Sequence, residues 1–308
     1  MPEKREKWSG AHWKRMLVDQ RKHMWHPDSI AMFACWAGLR PGMTVVDVGC
    51  GLGYMGFSYW PHFGRRGRYL GIDVSTKLLG KAKSLSLNWA GKGRVCFAAG
   101  DAGQLPMADG TTDAVMCQTL LMHLPDPQRA VCEMARILKR GGVMICHEPD
   151  NLSSSMTQGY TSVPQPNLED RLFIHRINLY RYLGSKKIHG GDPGIGCRVP
   201  LLMKEAGLRR IGARLNDHVH LMIPPYEDEE QKHRMKLMRR HMNDKKGSVF
   251  WRKREKEEIL AGGGRLPEVK RYWALIGKYN KTGRKQVKSS VYTKVAAGCF
   301  YIVKGIKI

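Results

Sequence analysis

The segment VVDVGCGLGYMG (45–56) constrains the fold of this chain of 308 residues more than any other. A β-branched apolar run of this kind reads as a strand buried on both faces. It closes on Asp47, and Gly49, Gly51 and Gly53 then turn the chain into a helix. Such a turn calls for glycine, because the backbone must reverse tightly and approach a ligand with no Cβ in the way. Taken alone, a G-x-G-x-G run is shared by flexible loops and dinucleotide sites. Its meaning depends on the residues downstream of it.

Strand and helix signals alternate beyond the loop. RYLGID (68–73), RVCFAAG (94–100), DAVMCQ (113–118) and VMICHE (143–148) read as strands. Ser75 can cap a helix running to about Leu87. A second helix is expected from Pro127 to Lys139, ended by Gly141-Gly142. Upstream, residues 10–38 read as two short helices. This β-α alternation predicts a parallel sheet covered by helices on both faces. After residue 150 the pattern breaks. Residues 167–184 and 198–206 read as helices, 208–215 and 218–223 as an interrupted strand, 227–280 as charged helices, and 291–305 as strand again.

Three acids stand at strand ends in order. Asp73 lies 20 residues after the glycine loop, where a carboxylate can accept hydrogen bonds from two ribose hydroxyls. Asp101 follows the third strand, in AAGDAGQLPMADG. The fourth strand leads through Gln118-Thr119 to a His-Leu-Pro-Asp turn. With these features, segment 43–150 resembles the class I S-adenosylmethionine-dependent methyltransferases, in particular the type 11 small-molecule branch that includes quinone-biosynthesis methyltransferases. RILKRGGVMI (136–145) and GDPGIGCRVPLLMKEAGL (191–208) also look like segments of that family. The nicotinamide dehydrogenases, which also use such a loop, usually carry G-x-G-x-x-G and do not account for Asp47 or the HLPD turn.

The resemblance implies an α/β, Rossmann-like, doubly wound fold: a mostly parallel seven-stranded sheet with an antiparallel edge hairpin, plus a helical cap and a helical insertion. It implies S-adenosylmethionine as cofactor and S-adenosylhomocysteine as product. Asp47, Gly49, Cys50, Gly51 and Gly53 would hold the methionine end, Asp73 the ribose, and Asp101 and Ala102 the adenine, with Val74 also among the cofactor-binding residues. Gln118 and Thr119 would touch the cofactor through backbone groups. The corresponding domain plan is 1–40, helices covering the cofactor site, with Met24 and Trp25 nearest it; 41–150, the cofactor-binding core; and 151–197, a substrate cap carrying Tyr160, Phe173, His175, Tyr180 and Tyr182. Segments 198–223 and 291–308 would be edge strands, and 224–290 a basic helical insertion.

Transfer of a methyl group from a sulfonium is an in-line displacement, so the protein mainly positions the nucleophile and excludes water. A neutral oxygen or carbon acid also needs a base. His123, His147 and Glu148 are the candidates, all near strand ends. No metal site is expected, since none of the eight cysteines forms C-x-x-C. Reduced thiols, the lack of an apolar leader in MPEKREKWSG and the lack of a membrane span favour a cytoplasmic protein.

Charge bears on the acceptor. The net charge is +25, and residues 231–308 hold 22 Lys and Arg against 5 Asp and Glu. The expected acceptor is a small molecule, methylated on O, N or C. A nucleic-acid acceptor bound through 231–308 is the alternative. Pro224-Pro225-Tyr226 looks like part of an amino-methylating motif, yet it falls far from the fourth strand, where that motif belongs. Mixed clusters such as RKREKEE (252–258) and the spacing of Met235, Leu237 and Met238, then Leu266, Val269, Trp273 and Ile276, predict a segment that pairs its own charges and packs on the main domain.

Overall fold

Strand β1 (Thr44–Val48) lies in the middle of a sheet that also holds β2 (Arg68–Asp73), β3 (Val95–Ala99), β4 (Thr112–Gln118) and β5 (Leu138–Pro149), all parallel. β10 (Phe300–Ile306) runs antiparallel between β5 and β7 (Arg209–Leu215), so the sheet order is β3-β2-β1-β4-β5-β10-β7. This is the expected seven-stranded, mostly parallel sheet, with β7 and β10 as its antiparallel pair. The computed structural model describes residues 24–87, 89, 94–156, 159–217 and 219–308. The first of the two helices expected in 10–38 lies outside the described residues.

The described chain forms two compact units. The first takes residues up to Asp150, Gly194–Asn216 and Phe300–Ile308. Its sheet is buried on both faces because alternate side chains enter different cores. Val46, Val115, Cys117, Met144 and Cys146 pack with Ala130, Val131 and Met134 of helix α4 (Pro127–Ile137) and Leu202 and Met203 of α7 (Val199–Glu205). Val45, Ala114, Met116 and Ile145 pack with Phe33 of α1 (Pro27–Ala37) and Tyr59, Trp60 and Phe63 of α2 (Tyr54–Phe63). The helix α3 (Thr76–Ser86) is capped by Ser75 Oγ, which accepts from the Leu78 N–H.

One boundary differs from expectation. Helix α4 ends at Ile137, not Lys139, and Leu138 already pairs with Thr112. Gly141-Gly142 therefore does not end the helix. It lies within β5, with Gly141 at φ +78°, and exchanges hydrogen bonds with Lys307.

The second unit consists of Asn151–Pro193 and Asp217–Cys299. It holds helices α5 (Asn151–Met156), α6 (Leu168–His189), α8 (Glu229–Asn243), α9 (Lys245–Ala261) and α10 (Leu266–Lys288). A small antiparallel sheet joins β6 (Tyr160–Thr161), β9 (Lys294–Ala297) and β8 (Val219–Met222). Here the domain plan read from the sequence is corrected. Of the expected edge segments 198–223 and 291–308, only β7 and β10 enter the main sheet, and β8 and β9 pair with each other elsewhere. The expected cap and insertion share one core: Phe173 and Ile177 of α6 pack with Ile259 of α9 and with Val269 and Tyr272 of α10. Met235 packs with Met222, Tyr226, Val287 and Tyr292. Met235, Met238, Val269, Trp273 and Ile276 of 224–290 thus pack inside their own unit, and Leu266 is exposed.

Helices α6 and α9 approach closely enough to exclude any side chain at their crossing. A Cβ on Gly184 would lie 1.8 Å from the Glu258 carbonyl oxygen, and one on Gly262 would lie 1.8 Å from that of Tyr180. Among the described residues, no helix is long and apolar enough to cross a membrane, and no group of three His, Cys, Asp or Glu could hold a metal ion. Cys50, Cys117 and Cys146 are buried free thiols, whereas Cys35, Cys96, Cys132 and Cys197 are exposed.

Candidate functional site

The chain turns outward from β1 to β2 and β3, then crosses back to β4 on the other side of β1. The carboxyl ends of β1 and β4 therefore flank a switch point, where open α/β sheets bind ligands. The glycine loop sits there. Gly49 and Cys50 both donate to the Ile72 carbonyl, at 2.7 and 3.0 Å, which ties the loop to β2. Gly49, Gly51 and Gly53 have φ of +70°, +54° and +79°, a region that penalises any side chain. Their surroundings differ. A Cβ on Gly49 would meet Leu120 Cδ1 at 2.7 Å, whereas one on Gly51 would meet nothing within 4 Å. Gly51 thus leaves the cradle of the loop open.

Asp73 closes one side of that cradle. Its carboxylate accepts from the Gly51 N–H at 2.9 Å and the Ser75 N–H at 2.8 Å. Burial raises its pKa, and those two N–H groups work against the rise. Each oxygen keeps acceptor capacity, so the group can hold the loop and still receive hydroxyl donors. Val74 beside it is an exposed apolar side chain. Asp47 is 1% exposed and accepts from the Tyr69 hydroxyl at 2.8 Å. Burial, then the charges of Asp47 and Asp73, pushes the Cys50 thiol well up, so this cysteine stays protonated.

Asp101 is exposed after β3, and its Oδ1 accepts from the Gly103 N–H at 2.8 Å; Ala102 is buried. Three side chains one helical face apart on α4 hold this loop in place. Arg129 Nε donates to the Gly103 carbonyl, Glu133 accepts from the Leu105 N–H, and Arg136 reaches the Met107 and Leu105 carbonyls and Asp109. The sequence reading missed them, although the 129, 133, 136 spacing was a signal.

At the end of β4, Gln118 Nε2 lies 3.0 Å from Met24 Sδ, and Thr119 adopts φ +49°. A threonine in that region is strained, and such strain persists where surrounding structure fixes it. Two groups fix it here. The Thr119 N–H donates to the His147 carbonyl at 2.9 Å. Beyond it, Glu148 Oε1 accepts from the Leu120 and Leu121 N–H groups at 2.8 and 2.9 Å, and Oε2 from Met122 at 3.3 Å.

Those bonds correct two candidate catalytic residues. Glu148 is 0% exposed and its carboxylate is taken up by the loop after β4, so it positions backbone instead of facing an acceptor. His147 is also 0% exposed. Its Nε2 shares a 3.0 Å hydrogen bond with the Tyr59 hydroxyl, and Trp25, Phe33 and Tyr59 stand edge-on around its ring. In a strand, neighbouring side chains point to opposite faces, which is why the sequence could not place both in the crevice. His123 ends a 3-10 turn (Leu121–His123) and is exposed. Pro224-Pro225-Tyr226 lies in the second unit, where the Tyr226 hydroxyl donates to the Tyr292 carbonyl.

Comparison with known proteins falls on the same strands. A family described as "Methyltransferase domain" matches residues 46–146. A demethylmenaquinone methyltransferase of Desulfitobacterium hafniense (strain Y51) is 33% identical over 106 residues, covering 34% of this chain and 42% of that protein. A probable methyltransferase, ltbC, of Aspergillus luteorubrus is 35% identical over 180 residues, covering 56% of this chain and 59% of that protein. The chain thus spans less than half the length of the first of these relatives. A solved structure from Bacillus halodurans C-125, assigned to the methyltransferases, superposes with a TM-score of 0.50 at 18% identity, covering 91% of this chain and 99% of that one. The last likeness concerns the fold alone.

Proposed function

We propose that this chain, whose core is a class I S-adenosylmethionine-dependent methyltransferase domain, transfers the methyl group of that cofactor to an O, N or C atom of a small molecule. The observation that carries the reading is the open cradle at Gly51, bounded by the Asp73 carboxylate. A cofactor with an amino-acid end and a ribose fits these groups. Gly49, Gly51 and Gly53 leave room for the methionine end, and Asp73 accepts from the ribose hydroxyls. Asp101, Ala102 and Val74 bound the adenine. The Gln118–Thr119 backbone borders the side from which an acceptor approaches.

The bound cofactor supplies a sulfonium-activated methyl group. What this chain supplies is position. Glu148 and the His147 carbonyl fix the strained Thr119 loop, so the acceptor meets a preset surface. His123 is exposed at the end of that loop and is the residue we assign as base, where the acceptor must lose a proton. Names among the relatives, the demethylmenaquinone methyltransferase above all, support a small-molecule acceptor. The test is turnover. Methyl-labelled S-adenosylmethionine is offered with quinone-type and other metabolite pools, and separately with RNA. Label in a small molecule is the expected result; label in RNA alone would replace the acceptor class proposed here.

A further inference from the structure

Within the second unit, α9, α10 and the end of α8 enclose a groove of about 530 Å³. That volume is within the range of small-molecule sites. Its walls carry Arg252, Lys281, Arg284, Lys285 and Lys288. Lys281, Lys285 and Lys288 recur at helical spacing on α10 and so form one stripe, about 10 Å long at 1.5 Å per residue. Among the described residues no carboxylate pairs with any of these five cations.

The acids nearby are spent elsewhere. Glu255, the acidic residue lining the groove, accepts from Trp273 Nε1 at 3.2 Å and pairs with Arg181 at 3.2 Å. Glu258 is buried against Arg254 at 2.6 Å and Arg181 at 3.7 Å. Two of the three acids of RKREKEE are thus paired, Glu258 with Arg254 and Arg181 and Glu255 with Arg181 of α6, while Glu257 is exposed. The groove cations are left over. Five like charges around one concavity repel one another, and an anion relieves that cost. Two indoles, Trp251 and Trp273, also line the groove, and the Arg252 guanidinium lies 5.6 Å from the Trp273 ring centre.

We propose that this groove is a nucleotide site, binding phosphates on the α10 cations and Arg252 and a base against an indole. Cations in a row with interleaved aromatic rings are what phosphates joined to flat rings require. The nucleotide can be free or a unit of a single strand. The proposal stands on the second unit alone and does not depend on methyl transfer.

The test uses the full chain and a fluorescently labelled 12-nucleotide uridine RNA, followed by anisotropy, with ATP and inorganic triphosphate as competitors. Both ATP and unlabelled RNA should displace the probe, and triphosphate should be at least roughly tenfold weaker than ATP, since it offers no ring to an indole. A strand-binding site shows RNA at least tenfold tighter than ATP, and a free-nucleotide site shows the reverse. In Lys281→Gln/Arg284→Gln, binding should fall at least tenfold. The slope of log affinity for RNA against log salt should shrink by about 1.4, or 0.7 for each phosphate no longer neutralised. Both positions are exposed on a helix, so the variant should keep wild-type S-adenosylhomocysteine binding and thermal midpoint. Failure of ATP and RNA to bind, equal affinity for triphosphate and ATP, or binding unchanged in the double variant would each overturn the proposal.

Discussion

Gly51 in the first unit and Gly184 in the second both resist a side chain, and for opposite reasons. Gly51 has φ +54° and empty space beside it; Gly184 sits in helix α6 with a neighbouring backbone carbonyl 1.8 Å from where its Cβ would be. Under the proposed function, the first withholds a side chain to leave room for the cofactor. The second withholds one so that two helices can meet. Open space beside a left-handed glycine is found at Gly38 too, a helix cap; what singles out Gly51 is its place after β1, beside the Asp73 carboxylate.

The comparison breaks most sharply with one substitution in each unit. In Gly51→Val a branched side chain would fill the cradle and resist the left-handed backbone. S-adenosylhomocysteine binding should fall more than about 100-fold, at least ~2.7 kcal/mol, while far-UV circular dichroism stays that of the wild type. Gly184→Ala should do the converse. Its methyl group must push α9 away, at about 3 kcal/mol, the upper end of overpacking penalties. Urea unfolding should show that loss while cofactor affinity stays within a factor of about two to three. Loss of cofactor binding in Gly184→Ala with native circular dichroism would refute the division of labour.

Smaller effects refine it. Asp73→Ala removes charge-assisted hydrogen bonds worth about 1.5–3 kcal/mol, so calorimetry should show affinity reduced ~10–150-fold. Glu148→Gln replaces a carboxylate that three backbone N–H groups share with an amide whose nitrogen cannot accept. A cost of about 1–3 kcal/mol in stability is expected from urea unfolding. If turnover also falls more than stability explains, the Thr119 loop is what presents the acceptor surface. The smallest change is Arg176→Ala, which removes the half-exposed 2.8 Å pair with Glu268. Surface pairs contribute about 0–1 kcal/mol, so the thermal midpoint should hardly move.

Legibility in the sequence depends on how local the information is. The glycine loop, Asp73 and the five parallel strands were readable, since each is set by a short run with its own periodicity and turn residues. The pairing of β8 with β9 was not. Their alternation says that they pair, but only the tertiary fold says with what. The same limit hid the second unit, whose core joins residues as distant as Phe173 and Tyr272. At the site, Glu148 read as a candidate catalytic group because a strand-end acid looks the same whether it faces solvent or three backbone donors. Thr119 gave no warning either, as positive φ at a non-glycine residue is imposed by neighbours, here His147 and Leu120. The surplus of cations in 231–308 was plain, but which of them lack partners depends on Arg181 and Glu255, from different helices.

The central claim, that the cradle beside Gly51 binds S-adenosylmethionine, is tested most directly by calorimetric titration of S-adenosylhomocysteine into the full-length chain, wild type and Gly51→Val side by side. One saturable site in the wild type, absent from a variant that remains folded, is the predicted result. No binding by the wild type, or equal binding by both proteins, would contradict it.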